Sequence, residues 1–159
     1  MKKQPKFLNL KAQTILIEVI SALYIILFIY AALSKVQDFQ KFKVELGKSP
    51  ILNGCSNSIA VVVPGIELTL SVLLAMKRFQ YYALYCSFCL MVIFSTYIIA
   101  ILKFSSFIPC SCGGILQNMT WTQHLIFNLC FVCLAAAGIL IYSQENKDLT
   151  RDKKGSLHP

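Results

Sequence analysis

Charged residues are scarce in this sequence. They make up 14% of its 159 residues, against about 25% in soluble domains, while hydrophobic residues reach 57% and the mean hydropathy is +0.65. This shortage of charge excludes an ordinary soluble domain and indicates a small integral membrane protein. Internal repeats and low-complexity tracts are also absent.

Acidic residues are the scarcer of the two signs. Seven Asp and Glu stand against fifteen Lys and Arg, so the formal net charge is +8. The basic residues lie at the chain ends and in the connections between apolar runs, and we therefore expect no nucleic acid partner. The tendency of Lys and Arg to lie on the cytoplasmic side of membrane spans explains the charge.

Four apolar runs are long enough to cross a lipid bilayer, which takes about 20 residues in a helix. They predict an all-α polytopic membrane protein, a four-transmembrane-helix bundle over residues 14–142 with spans near 15–33, 59–76, 81–102 and 121–142. Residues 1–13 form a basic leader and residues 143–159 a charged tail. A cleaved signal peptide is the alternative for the first run, but a signal core is only about 7–15 residues long. We expect a retained helix.

The first connection, residues 34–58, is predicted to be a loop with helical character. Its apolar residues recur at spacings of three and four, a pattern typical of an amphipathic helix in the membrane interface: Val36, Phe39, Phe42 and Leu46. Before the fourth span, Thr120 and Gln123 have the spacing of a helix capping box.

The distribution of Lys and Arg predicts the orientation. Ten of the fifteen lie in the leader, the second connection and the tail. The positive-inside rule then places both termini in the cytoplasm, in what we expect to be a bacterial inner membrane. The first and third connections, with Cys55, Cys110 and Cys112, would face the periplasm, where disulfides form and persist.

The third connection contains the most reactive pattern in the chain. Cys110 and Cys112 are one residue apart, Pro109 restricts the backbone before them, and Gly113 and Gly114 free it after them. Such a pair can close a small strained disulfide, and strained or exposed disulfides tend to be labile. We predict a redox-active pair; two unreactive thiols on a loop are the alternative. Cys55 could exchange with this pair.

Two further Cys-x-x-Cys pairs lie within apolar spans, Cys86 with Cys89 and Cys130 with Cys133. Zinc sites built from such pairs usually lie in polar loops, and here no His or carboxylate joins the pairs. We interpret them as small residues at helix contacts and predict no metal site.

Two titratable residues are further candidates. Glu67 is an acid within a span, which costs about 3 kcal/mol on insertion scales and marks a functional candidate. It could relay protons or hydrogen-bond a quinone; the alternative is a neutral acid bonded to a neighbouring helix. His124 lies in the first turn of the fourth span and could assist thiol deprotonation, although a structural hydrogen bond is the simpler interpretation.

Three segments together resemble a known family. They are Ala31-Ala32-Leu33-Ser34-Lys35, Val63-Pro64-Gly65-Ile66-Glu67-Leu68, and the block Ile108-Pro109-Cys110-Ser111-Cys112-Gly113-Gly114-Ile115-Leu116 with Met119-Thr120-Trp121-Thr122-Gln123-His124-Leu125. Over residues 14–142 the chain resembles the MauE branch of the MauE/DoxX redox-associated membrane proteins.

The resemblance implies a four-helix bundle linked to methylamine utilisation. MauE proteins are associated with maturation of methylamine dehydrogenase, together with a thioredoxin-like partner, and DoxX proteins with thiosulfate:quinone oxidoreduction. The layout is also similar to vitamin K epoxide reductase, although this chain has no outer-face Cys-x-x-Cys.

The sequence and the resemblance together predict a membrane thiol–disulfide redox protein. Cys110 and Cys112 would exchange electrons with a thioredoxin-like protein or a disulfide-bearing client, and a quinone is a candidate cofactor. The alternatives are a non-enzymatic accessory subunit with a structural disulfide, and handling of Cu(I) by Cys110, Cys112 and a third thiol.

Overall fold

The structure, a computed structural model, describes residues 6–48, 53–104 and 120–155. In chain order its elements are α1 (Lys6–Gln37), α2 (Phe39–Lys48), a single 3₁₀ turn (Asn53–Cys55), α3 (Ser56–Ala75), α4 (Gln80–Phe104) and α5 (Trp121–Gly155). No strand occurs in these three segments. The prediction of an all-α chain is confirmed.

Four of the helices are long and apolar enough to cross a bilayer. The candidate spans are Lys11–Gln37, Ser56–Ala75, Gln80–Lys103 and Trp121–Ser143. Even the shortest has 20 residues, which at 1.5 Å per residue is about 30 Å, the thickness of the hydrocarbon core. The predicted four-span architecture is confirmed.

The four long helices form a ring in which sequence neighbours are antiparallel. α1 packs mainly on α3 and α4 mainly on α5, and contacts between α1 and α5 and between α3 and α4 close the ring. Tyr24 lies fully buried at the centre. Its ring packs against Phe28 and Phe131, and its hydroxyl donates to the Phe131 carbonyl over 2.6 Å, joining α1 to α5.

Small residues let the helices approach closely. Ala83 and Ala135 are buried in the core, and a Cβ added to Gly138 of α5 would lie 2.8 Å from Leu84 Cδ2 of α4. Helices in lipid associate through such close packing because lipid provides little hydrophobic driving force between them.

Large apolar side chains cover the outer surface of the bundle. All four long helices contribute; for example, Ile26, Val72, Tyr82 and Leu140 are each exposed by more than three-fifths. An apolar exterior of this extent suits a lipid environment.

The Cys-x-x-Cys residues lie on this outer surface more than at helix contacts. Cys86, Cys130 and Cys133 are exposed and Cys89 is partly buried, all with free thiols. Our expectation that they occupy helix contacts therefore does not hold for the three exposed residues, because alanine and glycine fill the close contacts instead.

Two helices extend beyond the predicted spans. α1 continues past residue 33 to Gln37, and the backbone bonds from Asp38 N to Ser34 O and from Phe42 N to Asp38 O lead directly into α2. α5 continues through most of the predicted tail to Gly155. Ser34 and Lys35 therefore belong to a span and not to the loop.

Candidate functional site

A cavity of about 370 Å³ lies at one end of the bundle. There α1 ends, α3 begins, α4 ends and α5 begins, and α2 packs beside them; we refer to this as the α2 end. The cavity is lined from all five helices by Leu27, Phe28, Ala31, Ser34, Lys35, Phe42, Leu46, Ile59, Val63, Glu67, Met91, Ile93, Phe94, Tyr97, Ile98, Trp121, His124, Phe127 and Asn128.

An ion pair between α1 and α3 forms the polar part of the cavity wall. Lys35 Nζ lies 2.7 Å from Glu67 Oε1 and 3.1 Å from Oε2, and it also donates to the Ala31 carbonyl over 3.3 Å. The Glu67 side chain is 1% exposed and that of Lys35 is 15% exposed. Glu67 thus bonds to a cation on a neighbouring helix, where the sequence alone suggested a neutral acid, a proton relay or a quinone ligand.

α2 closes the cavity over this pair. Leu46 is buried, Phe42 is partly buried, and both line the cavity. The Phe42 ring centroid is 6.0 Å from Lys35 Nζ, within the range of a cation–π contact. The amphipathic pattern therefore serves the bundle itself, since two of its apolar residues face the cavity.

The start of α5 forms the opposite wall. Thr120 N donates to Gln123 Oε1 over 2.9 Å and Gln123 N donates to Thr120 Oγ1 over 3.3 Å, so the predicted capping box is confirmed. This cap fixes the first turn, which carries Trp121 and His124 into the cavity lining. His124 is half-buried there, close to the predicted redox segment along the chain.

The other polar residues of the lining include Ser34 of α1 and Asn128 of α5. They are 6% and 3% exposed. Ser34 Oγ and Asn128 Nδ2 are buried and have no hydrogen-bond partner among the residues that the structure describes. Buried polar atoms in native proteins nearly always have a partner, so these two atoms are candidates for contact with a ligand or water.

Of the three cysteines predicted to take part in redox exchange, the structure describes only Cys55. Cys110 and Cys112 lie outside the described residues, in the segment that connects α4 to α5. Cys55 is exposed immediately before α3, at the α2 end, with a free thiol. Within the described segments, no group of three or more His, Cys, Asp or Glu could hold a metal ion.

The other end of the bundle is simpler. Lys77 Nζ lies 2.8 Å from Glu18 Oε1, and this hydrogen bond raises the pKa of the Lys77 ammonium. Both side chains are exposed, at 82% and 49%. Such surface pairs contribute little to stability. At this end Gln80 Nε2 also donates to Ser21 Oγ over 2.8 Å, between α4 and α1.

Sequence reasoning found Glu67 but missed its partner and the cavity. The available signal was the pairing rule for charges in membrane spans, but Lys35 was assigned to a loop and so was not considered. Ser34 and Asn128 carried no signal, because an isolated Ser or Asn in an apolar run is common at helix contacts.

The four apolar spans and their lipid-suited surface define an integral membrane protein of the four-helix type. The family described as methylamine utilisation protein MauE matches residues 13–141. The chain belongs to this family, and the suspected resemblance is confirmed. No curated protein and no solved structure gives a significant match.

Proposed function

We propose that this chain is a membrane thiol–disulfide redox protein in which Cys110 and Cys112 cycle between dithiol and disulfide. Its setting would be a bacterial inner membrane with both termini in the cytoplasm, so that the α2 end faces the periplasm. By family, the role is maturation of a disulfide-bearing client, and methylamine dehydrogenase is the client that the resemblance suggests.

The observation that carries the proposal is the convergence of chemistry at the α2 end. α4 ends at Phe104 and α5 begins at Trp121, so the segment with Cys110 and Cys112 starts and finishes there. The exposed Cys55 thiol and the Lys35–Glu67 pair lie at the same end. The positive end of the α5 dipole, at Trp121, could stabilise a thiolate close to it.

The exchange requires no group beyond two pairs of sulfurs. A thiolate of a reduced thioredoxin-like protein attacks one sulfur of the Cys110–Cys112 disulfide, and the other sulfur leaves as a thiolate. The second thiol of the partner then resolves the mixed disulfide. The partner loses two electrons and becomes a disulfide, while Cys110 and Cys112 gain them. In the reverse sequence the Cys110 and Cys112 thiols reduce the disulfide of a client and are themselves oxidised to a disulfide.

Trapping of the mixed disulfide tests this proposal. When the pair reduces a client disulfide, one cysteine of the pair attacks and the other is the resolving thiol. Removal of that resolving thiol should leave the client joined to the remaining cysteine, so we expect a reducible adduct in membranes carrying either Cys112→Ser or Cys110→Ser. Cells are quenched with acid and alkylated, and adducts are identified by non-reducing electrophoresis and mass spectrometry. The matched control is Cys133→Ser, which replaces an exposed cysteine within α5 and should form no new adduct.

The double variant Cys110→Ser/Cys112→Ser should abolish the adduct. If neither single variant forms one, or if the double variant retains it, the pair does not exchange with a partner and the proposal is wrong. The same cells carrying Cys55→Ser show whether Cys55 takes part: a lost or altered adduct would assign it a role in the exchange.

A further inference from the structure

The cavity at the α2 end has the size of a small-molecule site. Its volume of about 370 Å³ falls within the range of roughly 300–1,000 Å³ for ligand pockets. Such pockets are mostly apolar, with a few polar groups that orient the ligand. The wall composition therefore indicates the chemistry of the ligand.

The charge in the wall is already balanced. Lys35 Nζ donates to both Glu67 oxygens and to the Ala31 carbonyl, which uses all three of its hydrogens. An ionised ligand would lie in apolar surroundings without a counter-charge, which is costly. The cavity is therefore suited to a neutral ligand.

The unpartnered polar atoms favour a ligand with acceptor oxygens. Asn128 Nδ2 can only donate, and the Ser34 hydroxyl can donate or accept. A buried polar atom that is left without a partner destabilises the folded protein, so a ligand that bonds to it is favoured. A carbonyl oxygen in the cavity would satisfy either one.

The rest of the wall favours a flat ring. Aromatic side chains from four different helices line the cavity: Phe28, Phe42, Phe94, Tyr97, Trp121 and Phe127. Aromatic rings pack well against other planar rings in offset-stacked or edge-to-face arrangements. The favoured ligand is thus a neutral, planar, lipid-soluble ring that carries carbonyl groups.

We propose that the cavity binds the ring of a membrane quinone, with a quinone carbonyl accepting a hydrogen bond from Asn128 or Ser34. The ring chemistry follows from the wall, whereas the choice of a redox-active ring rests on the proposed function. When Cys110 and Cys112 form a disulfide they release two electrons and two protons. A quinone that takes up both becomes a hydroquinone, so the reaction balances.

Fluorescence of Trp121 offers a direct test, because it is the only tryptophan in the chain and it lines the cavity. The purified full-length protein in detergent is titrated with menadione (2-methyl-1,4-naphthoquinone). We expect saturable quenching on top of the linear quenching that free quinone causes. 2-Methylnaphthalene has the same carbon skeleton without the carbonyls. We expect it to compete for the cavity with a dissociation constant at least fivefold higher than that of menadione.

Variants connect the binding to the wall. Asn128→Leu keeps the number and branching of the side-chain heavy atoms and removes the amide, and we expect at least fivefold weaker binding. Ser34→Ala should weaken binding in the same direction. Ser87→Ala is the matched control, because Ser87 is buried outside the cavity and its hydroxyl bonds to Ala83 of its own helix. It should bind menadione as the unaltered chain does.

Three results would overturn the proposal. They are purely linear quenching, equal displacement by 2-methylnaphthalene, and unchanged affinity in both Asn128→Leu and Ser34→Ala. Linear quenching would be the result if chain segments fill the cavity. Binding in Cys110→Ser/Cys112→Ser separates the two proposals, since the cavity should still bind menadione there even if the trapping experiment fails.

Discussion

At the scale of single residues, the Lys35–Glu67 pair dominates the electrostatics of the bundle. Its carboxylate is 1% exposed, and no other ion pair between described residues is buried to this degree. Two charges in apolar surroundings stabilise each other, and removal of one leaves the other uncompensated. The pair therefore fixes the contact between the end of α1 and the middle of α3.

We predict that Lys35→Met lowers the free energy of unfolding by roughly 3–5 kcal/mol, because Glu67 would be buried without its cation. Lys35→Met/Glu67→Met should recover most of this loss, since it leaves no buried charge. Both can be measured by denaturant unfolding in mixed micelles. Lys77→Met makes the same change at the exposed pair with Glu18 and should have little effect on the free energy of unfolding. An equal loss of stability in Lys77→Met would contradict the argument that burial makes the Lys35–Glu67 pair important.

The pair also shows where residue-level sequence reasoning ends. Glu67 was identified because an acid in an apolar run is conspicuous by itself. Lys35 was not, since its role depends on α1 continuing to Gln37, and helix ends are the least certain part of a prediction from sequence. A charged residue near a predicted helix end is assigned to a loop or to a span depending on where that end is placed, and a shift of one turn changes the assignment.

At the scale of elements, close helix contacts depend on residues without bulk. Gly138 brings α5 against α4 and α1, where an added Cβ would lie 2.8 Å from Leu84 and 3.5 Å from Ile20. Leu84 is fully buried and Ile20 is 3% exposed, so neither can move aside into free space.

We therefore predict that Gly138→Ala destabilises the bundle by about 1–3 kcal/mol through overpacking. Gly65→Ala is the matched control: it lies within α3, and an added Cβ would meet nothing within 4 Å. Alanine there should be neutral or stabilising because it favours the helix. Thermal unfolding of both variants in the same detergent gives the comparison, and equal effects would refute the packing argument.

The number and kind of elements could be predicted because each long helix is apolar over a full span. The capping box at Thr120 and Gln123 was predictable for a different reason, since it is a local pattern. The packing of the helices against one another was harder to predict from the sequence. Cys86 and Cys130 looked suited to helix contacts by size, yet which face of a uniformly apolar helix points inward depends on the other helices.

At the scale of the whole molecule, the account depends on orientation. The ring order of α1, α3, α4 and α5 places Cys55 at the α2 end and the connection between α3 and α4 at the other. A reversed orientation would put Cys55 in a reducing compartment, where disulfides are rare.

We predict that a membrane-impermeant maleimide labels Cys55 from outside when Cys55 is the only cysteine left in the chain. Arg78→Cys, in the opposite connection, should be labelled only after the membrane is permeabilised. A chain with Cys133 alone is the control, since this residue lies within the span of α5 and should resist the reagent in both cases. The reverse pattern would contradict the periplasmic location of the redox pair.

The reduction potential of the Cys110–Cys112 pair tests the central claim most directly. It can be measured in the full-length chain with the other five cysteines replaced, by equilibration with thiol–disulfide buffers and alkylation. A working redox pair should have a potential well above about −300 mV, close to those of known thiol oxidants. A value below about −300 mV would mark a structural bond and contradict the proposed redox cycle.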